Sequence, residues 1–275
     1  MIVDGPTIQA DACYRSSGVG LSYSYDATRQ GGGKVVVESG TLIATGRGYA
    51  PGIGGGSVHA AAPAPIGPEI VVKTNGTLYA NNVVDSSISG KSGNPEGFAS
   101  GVAIGGGVRR DSDSYASDAG TITVDGGTIY ATVANAAFPC FGIVRGRKDN
   151  GAQNPNGTGS LTVKNGGKVF FQHSTFPGRY AVTVDNGTLG TMSDSPAETW
   201  VTFNGLATVT NALTIAGPVA PVWETLPSFR NNPVLKVETG VTLMSGMLPG
   251  EWVEVAADDE ERRLFVHDCG YSFAA

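Results

Sequence analysis

Thr121-Ile122-Thr123-Val124-Asp125-Gly126-Gly127-Thr128-Ile129-Tyr130-Ala131 is the stretch that decides the fold class. Apolar and polar residues alternate on both sides of the Asp-Gly-Gly. A period of two sends successive side chains to opposite faces of an extended strand. Asp-Gly and Gly-Gly form turns because glycine takes positive φ without steric cost. The stretch therefore reads as two short strands, each with one buried face, joined at a glycine turn.

The phrase recurs along the chain. Lys34-Val35-Val36-Val37-Glu38-Ser39-Gly40-Thr41-Leu42-Ile43-Ala44 is a second copy, and others run Ile70 to Ala80, Leu161 to Phe171, Val182 to Leu189 and, worn, Val234 to Leu243. Ile2-Val3-Asp4-Gly5-Pro6-Thr7-Ile8-Gln9-Ala10 matches with Pro6 in the glycine position, so the chain begins inside a repeat. Terminal repeats usually carry a polar cap, which implies a missing N-terminal segment or a stacking partner against this face. The anchor positions 6, 40, 76, 127, 167, 187 and 240 are 34, 36, 51, 40, 20 and 53 residues apart. Constant turns separated by variable lengths predict a solenoid whose insertions bulge as loops. A sandwich would space its strands more evenly.

A second phrase supports stacking. Gly52-Ile53-Gly54-Gly55-Gly56 and Val102-Ala103-Ile104-Gly105-Gly106-Gly107 are near copies, with Phe141-Gly142-Ile143-Val144-Arg145-Gly146 a weaker third. No window shows a period of 3.6, so the expectation is all-β: a single-stranded parallel β-helix of about ten to twelve coils over residues 1–250. Trp200 and Trp223, with the Pro-rich segment 218–233, read as an inserted loop covering the stack. Residues 251–275 read as a C-terminal strand or hairpin cap, with Asp258-Asp259-Glu260-Glu261-Arg262-Arg263 at its charged tip.

Composition agrees and excludes several function classes. The chain has 41 glycines in 275 residues, 40% hydrophobic residues and only 15% charged ones. No apolar run reaches the ~18 residues of a transmembrane helix, and glycine lacks the strict period of collagen. Net charge is −6, which disfavours nucleic acid and anionic membrane surfaces as partners. No signal peptide follows Met1. Cys13, Cys140 and Cys269 have no metal or redox spacing and read as buried small hydrophobes. His59, His173 and His267 fall in separate segments, and no nucleophile elbow or zincin motif is present.

Two sets of residues carry functional expectations. In the strand after each turn, the residues pointing outward are Gln9, Ile43, Tyr79, Tyr130, Phe170 and Gly190. Tyr79, Tyr130 and Phe170 would form an exposed aromatic stripe suited to the apolar C–H faces of sugar rings. The second set is polar. Aligning the glycine-rich phrases gathers His59, Arg109, Arg110, Asp111, Asp113, Arg145, Arg147 and Asp149 at one coil edge. Arg109, Arg145 and Arg147 would clamp a uronic-acid carboxylate or sulfate, since the guanidinium fork binds oxyanions bidentately. In an enzyme, Arg110, Asp111 and Asp113 would be the catalytic residues. No cofactor is implied; calcium on Asp111, Asp113 and Asp118 is left open, although the spacing lacks the glycine and glutamate of an EF-hand loop.

Residues 34–56, 70–107 and 120–146, with weaker coverage to about residue 245, resemble secreted and cell-surface bacterial β-helix repeat proteins. These include carbohydrate-binding repeats and autotransporter-like adhesin passengers. The resemblance implies right-handed coiling, export to the cell surface or medium, and adhesion or polysaccharide contact. Polysaccharide lyases and polygalacturonases share that pectin lyase-like fold, but their paired aspartates beside a Gly-His-Gly are not assembled here. Arg145-Gly146-Arg147-Lys148 only echoes their Arg-x-Lys. The expected function is an adhesin-like or carbohydrate-contacting rigid module without catalysis. The alternative is a polysaccharide lyase or glycoside hydrolase using the Arg/Asp cluster. A purely structural spacer is the third class.

Overall fold

A computed structural model describes residues 1–13, 16–20, 33–48, 50–55, 67–83, 102–106, 118–133, 141–142, 158–176, 180–192, 200–203, 207–218, 222–223, 228–237, 252–258 and 261–266. Among these residues every regular element is a strand. The first are β1 (Ile2–Val3), β2 (Ile8–Asp11), β3 (Val19–Gly20), β4 (Lys34–Arg47), β5 (Ile53–Gly54), β6 (Glu69–Val83) and β7 (Ile104–Gly105). Then come β8 (Asp118–Asp125), β9 (Thr128–Val133), β10 (Phe141–Gly142), β11 (Thr158–Lys164), β12 (Lys168–Phe171), β13 (His173–Phe176) and β14 (Tyr180–Thr191). The last are β15 (Trp200–Phe203), β16 (Ala207–Ala216), β17 (Val222–Trp223), β18 (Ser228–Val237), β19 (Trp252–Asp258) and β20 (Glu261–Val266).

Period-two patterning becomes rows of like residues stacked strand upon strand. Val37, Val72, Val124, Val163, Val184 and Val209 pair successively in register, as do Leu42, Leu78, Ile129, Val169, Leu189 and Ile215. All are buried, and they form one contiguous core. Each fully buried aliphatic side chain contributes about 1.5–3 kcal/mol relative to exposure. Successive strands lie about 4.8 Å apart, so a side chain in a row has its neighbours fixed on both sides.

Among the described residues the main sheet has 13 strands, and its path runs β1-β4-β6-β8-β11-β14-β16-β18 before reaching β20 and β19. The expected parallel β-helix of ten to twelve coils is corrected here. The parallel pairings β6–β8, β8–β11, β11–β14, β14–β12, β12–β9 and β9–β6 close into a six-strand barrel, with the remaining strands of the sheet outside it. The cause is local. β6 and β14 run unbroken across the turn, whereas Gly126-Gly127 splits β8 from β9, and the turn at residues 165–167 splits β11 from β12. Each half of a split phrase thus pairs with its own half of the two long strands, β8 and β11 with the residues before their turns and β9 and β12 with the residues after. Repetition of the phrase specifies which rows stack, but it is silent on closure.

Two smaller sheets complete the described structure. β3, β5, β7 and β10 pair in parallel, so Val19, Ile53, Ile104 and Phe141 align. This confirms the stacking of the glycine-rich phrases but shifts their third copy: Ile104 meets Phe141, not Ile143 as the alignment implies. β13, β15 and β17 form a three-stranded parallel sheet in which Trp200 and Trp223 are strand residues. The expected loop around these tryptophans is therefore incorrect. β19 and β20 make an antiparallel hairpin that meets β18 through Val237 and Arg262. Cys13 is exposed, contrary to expectation; Cys140 and Cys269 lie outside the described residues. No described helix is long and apolar enough to cross a membrane.

The turns demand left-handed backbone. Gly40 has φ +77°, and a Cβ there would run into the Gly5 carbonyl. Asparagine fills the same role at Asn165, Asn186 and Asn211, with φ of 53°, 58° and 65°, as the residue besides glycine that best tolerates this region. Asn211 Nδ2 also donates to Asp185 Oδ1 at 2.6 Å. Asn211→Ala is expected to cost about 1–2 kcal/mol from the backbone alone. Asn211→Gly should recover that part and leave only the lost hydrogen bond, about 0.5–1.5 kcal/mol; urea unfolding of both variants checks the ordering.

Candidate functional site

The outward face of the strands after the turn carries a continuous row. Gln9 pairs with Ile43, Ile43 with Tyr79, Tyr79 with Tyr130, Tyr130 with Phe170, and Phe170 with Gly190. The Tyr79 and Tyr130 rings stack with centroids 4.9 Å apart at 12°, and Tyr130 and Phe170 at 5.2 Å and 11°. The sheet imposes this spacing, since neighbouring strands lie about 4.8 Å apart. Carbons in contact approach to about 3.5–4.0 Å. Near-parallel rings in contact on this repeat are therefore slid as well as stacked, the offset arrangement that the ring quadrupole favours.

This geometry alters one expectation. The three rings do not lie side by side as a flat platform. Their faces are turned toward one another, and the row offers a ridge of ring edges, strips of face and phenolic hydroxyls. Tyr79 is 38% exposed; Tyr130 and Phe170 are half-buried. Phe170 ends the ridge by leaning over Gly190, where a Cβ would stand 2.5 Å from its Cδ1 and 2.6 Å from its Cε1.

Polar rows flank the ridge on both sides. Two residues before each ring, Thr77, Thr128 and Lys168 pair in register, with Thr41 and Thr188 continuing the row at its ends. Two residues after, Asn81 pairs with Thr132, and the Thr132 hydroxyl donates to Asn81 Oδ1 at 2.7 Å. Gln172 extends this row after β12: its backbone N–H donates to the Ala131 carbonyl at 3.1 Å, and its Oε1 accepts from Val133 N at 3.2 Å. Each aromatic residue thus sits between polar side chains two residues before it and two after it.

A second feature, not anticipated from the sequence, runs beside the turns. Lys73, Asp125, Lys164 and Asp185 align in register with alternating sign. Lys73 pairs with Glu38 at 2.7 Å and Lys164 with Asp125 at 3.3 Å. The alternation was hidden because its members lie 52, 39 and 21 residues apart in the sequence. The amide of Asn165, donating to Asp125 Oδ1 at 2.6 Å, holds that carboxyl below its usual range, with Lys164 adding to the effect against a desolvation penalty. A lowered folded pKa stabilises above the unfolded value, near 3.9, and that stabilisation is lost as pH falls through the folded one. Between about pH 6 and pH 3, the wild type should therefore lose more Tm than Asp125→Asn. The side chains are partly exposed, so the difference should be small and shrink in salt.

Of the other sequence-derived candidates, Arg109, Arg110, Asp111, Asp113, Arg145, Arg147, His59 and Asp149 lie outside the described residues. The register of Phe141 with Ile104 removes the alignment that assigned Arg147-Lys148-Asp149 to the position of Val108-Arg109-Arg110. Asp118 belongs to β8, while Asp111 and Asp113 are outside the described set. Among the described residues no group of three His, Cys, Asp or Glu side chains is placed to hold a metal ion. Comparison of the chain with protein-family models, with curated proteins and with solved structures finds no match in any of the three.

Proposed function

We propose that this protein is a rigid, non-catalytic glycan-contacting module, secreted or displayed at the cell surface, whose aromatic ridge meets polysaccharide. The observation that carries the reading is the stack Tyr79–Tyr130–Phe170 set between two polar rows. A pyranose offers apolar C–H patches bordered by hydroxyls, and this surface offers aromatic carbon bordered by hydroxyl and amide groups. Exposed apolar surface rimmed by polar side chains is characteristic of binding sites. The scaffold supports the role: the rows beneath the ridge are buried and fixed by ladders on both sides, so the rings are held ready before a ligand arrives. With a net charge of −6 the chain is poorly suited to nucleic acid.

Affinity electrophoresis in gels cast with neutral and acidic polysaccharides tests the reading, with reducing and unsaturated ends assayed on the same mixtures. Retardation by at least one polysaccharide, abolished in Tyr130→Ala and without released ends, is the expected result. Product release that is lost in Arg110→Ala or Asp113→Ala would replace this reading with an enzymatic one.

A further inference from the structure

The ridge has a repeat as well as a chemistry. Its rings recur at 4.9 and 5.2 Å along the direction that crosses the strands, and each is bordered before and after by a polar side chain, as Thr128 and Thr132 border Tyr130. A ligand that exploits all three positions must itself repeat at about one strand spacing. It must also lay an apolar strip along the exposed edges and strips of ring face, with hydroxyls to either side at each repeat.

We propose that the ligand is a linear, neutral, extended-ribbon polysaccharide of the β-1,4-linked class, lying across the strands with one sugar residue per ring; this rests on the glycan-contacting reading above. Three features argue for it. An extended β-1,4 chain of equatorially linked pyranoses advances by close to one strand spacing per residue, so its sugars stay in step with the rings. Successive sugars in such a ribbon are turned over relative to one another, which exchanges their edges. A surface that accepts both orientations needs polar groups on both flanks, and this one has them. The flanks favour hydroxyls over a charge on every sugar: Thr77, Thr128, Asn81, Thr132 and Gln172 are uncharged, and Lys168 is one cation beside three rings. An α-1,4-linked chain of the same sugar coils and falls out of step within the length of the ridge.

Titration of the purified protein with cello-oligosaccharides and malto-oligosaccharides of one to six residues, followed calorimetrically, tests the proposal. Affinity for the cello series should climb from one to three residues and then level off. The malto series should bind weaker by on the order of tenfold or more. Phe170→Ala should move the plateau from three residues to two, a change that a merely weakened fold would not produce. Equal affinity for the two series, or affinity independent of length, overturns the ribbon proposal. If Tyr130-dependent binding then appears with another glycan, the glycan-contacting reading stands without it. If no glycan binds, both fall.

Discussion

Leu78→Ala is expected to lower the unfolding free energy by about 2–5 kcal/mol, the range for emptying a well-packed aliphatic site. Leu78 has no exposed surface and lies between Leu42 on one strand and Ile129 on the next. Collapse into the cavity would require β4 and β9 to approach β6, but their backbones are held by ladders of hydrogen bonds at fixed spacing. The upper half of the range is therefore expected. The adjacent residue supplies the control. Tyr79 points outward and is 38% exposed, so Tyr79→Ala should lose mainly one ring stack, about 0.5–1.5 kcal/mol, plus part of its buried area. Urea unfolding of the two variants should separate them clearly. Equal losses would mean that the period-two division between core and surface is wrong for β6.

Tyr130→Ala is expected to weaken glycan binding by at least tenfold, about 1.4 kcal/mol. Tyr130 is the central ring, stacked on Tyr79 at 4.9 Å and on Phe170 at 5.2 Å. Its removal takes one contact from the ligand and leaves both neighbouring rings without a partner to hold their orientation. Tyr130→Phe keeps the ring and removes only the phenolic oxygen, so it should retain most of the affinity. The three proteins, compared by isothermal titration, distinguish ring contact from hydrogen bonding. If Phe binds as poorly as Ala, the hydroxyl is the recognised group and the stack is only a support.

The sequence is most informative where one face of a strand is buried. A shift of one residue would turn Val124 and Ile129 to solvent and Thr123 and Thr128 into the core, so register is tightly specified there. That constraint is why the row from Gln9 to Gly190 could be written down from spacing alone and is found in register. Legibility ends where the turn is formed without glycine. Ala207-Thr208-Val209-Thr210-Asn211-Ala212-Leu213-Thr214-Ile215 is a further copy of the phrase, with Asn211 at φ 65° in the turn. It has no glycine, so glycine-anchored spacing does not reveal it. The worn copy read at Val234–Leu243 is likewise displaced, because β18 pairs with β16 from Ser228 onward. Counting Asn as a turn former beside Gly would have found both.

Closure and the ring stack were hidden for different reasons. β6 runs on through Lys73-Thr74-Asn75-Gly76 whereas Gly126-Gly127 separates β8 from β9, yet both stretches read in the sequence as the same glycine turn. The direction of the aromatic faces depends on side-chain rotation. Period two gives the side of the sheet, and the 4.9 Å spacing then turns the rings onto one another instead of outward.

The most direct single test is a heteronuclear NMR titration of the aromatic ring signals with a soluble oligosaccharide that retards the protein in affinity gels. Shifts concentrated on Tyr79, Tyr130 and Phe170, saturating together, are predicted. Saturable shifts that leave these three rings untouched would place the binding surface elsewhere and refute the aromatic ridge as the glycan contact.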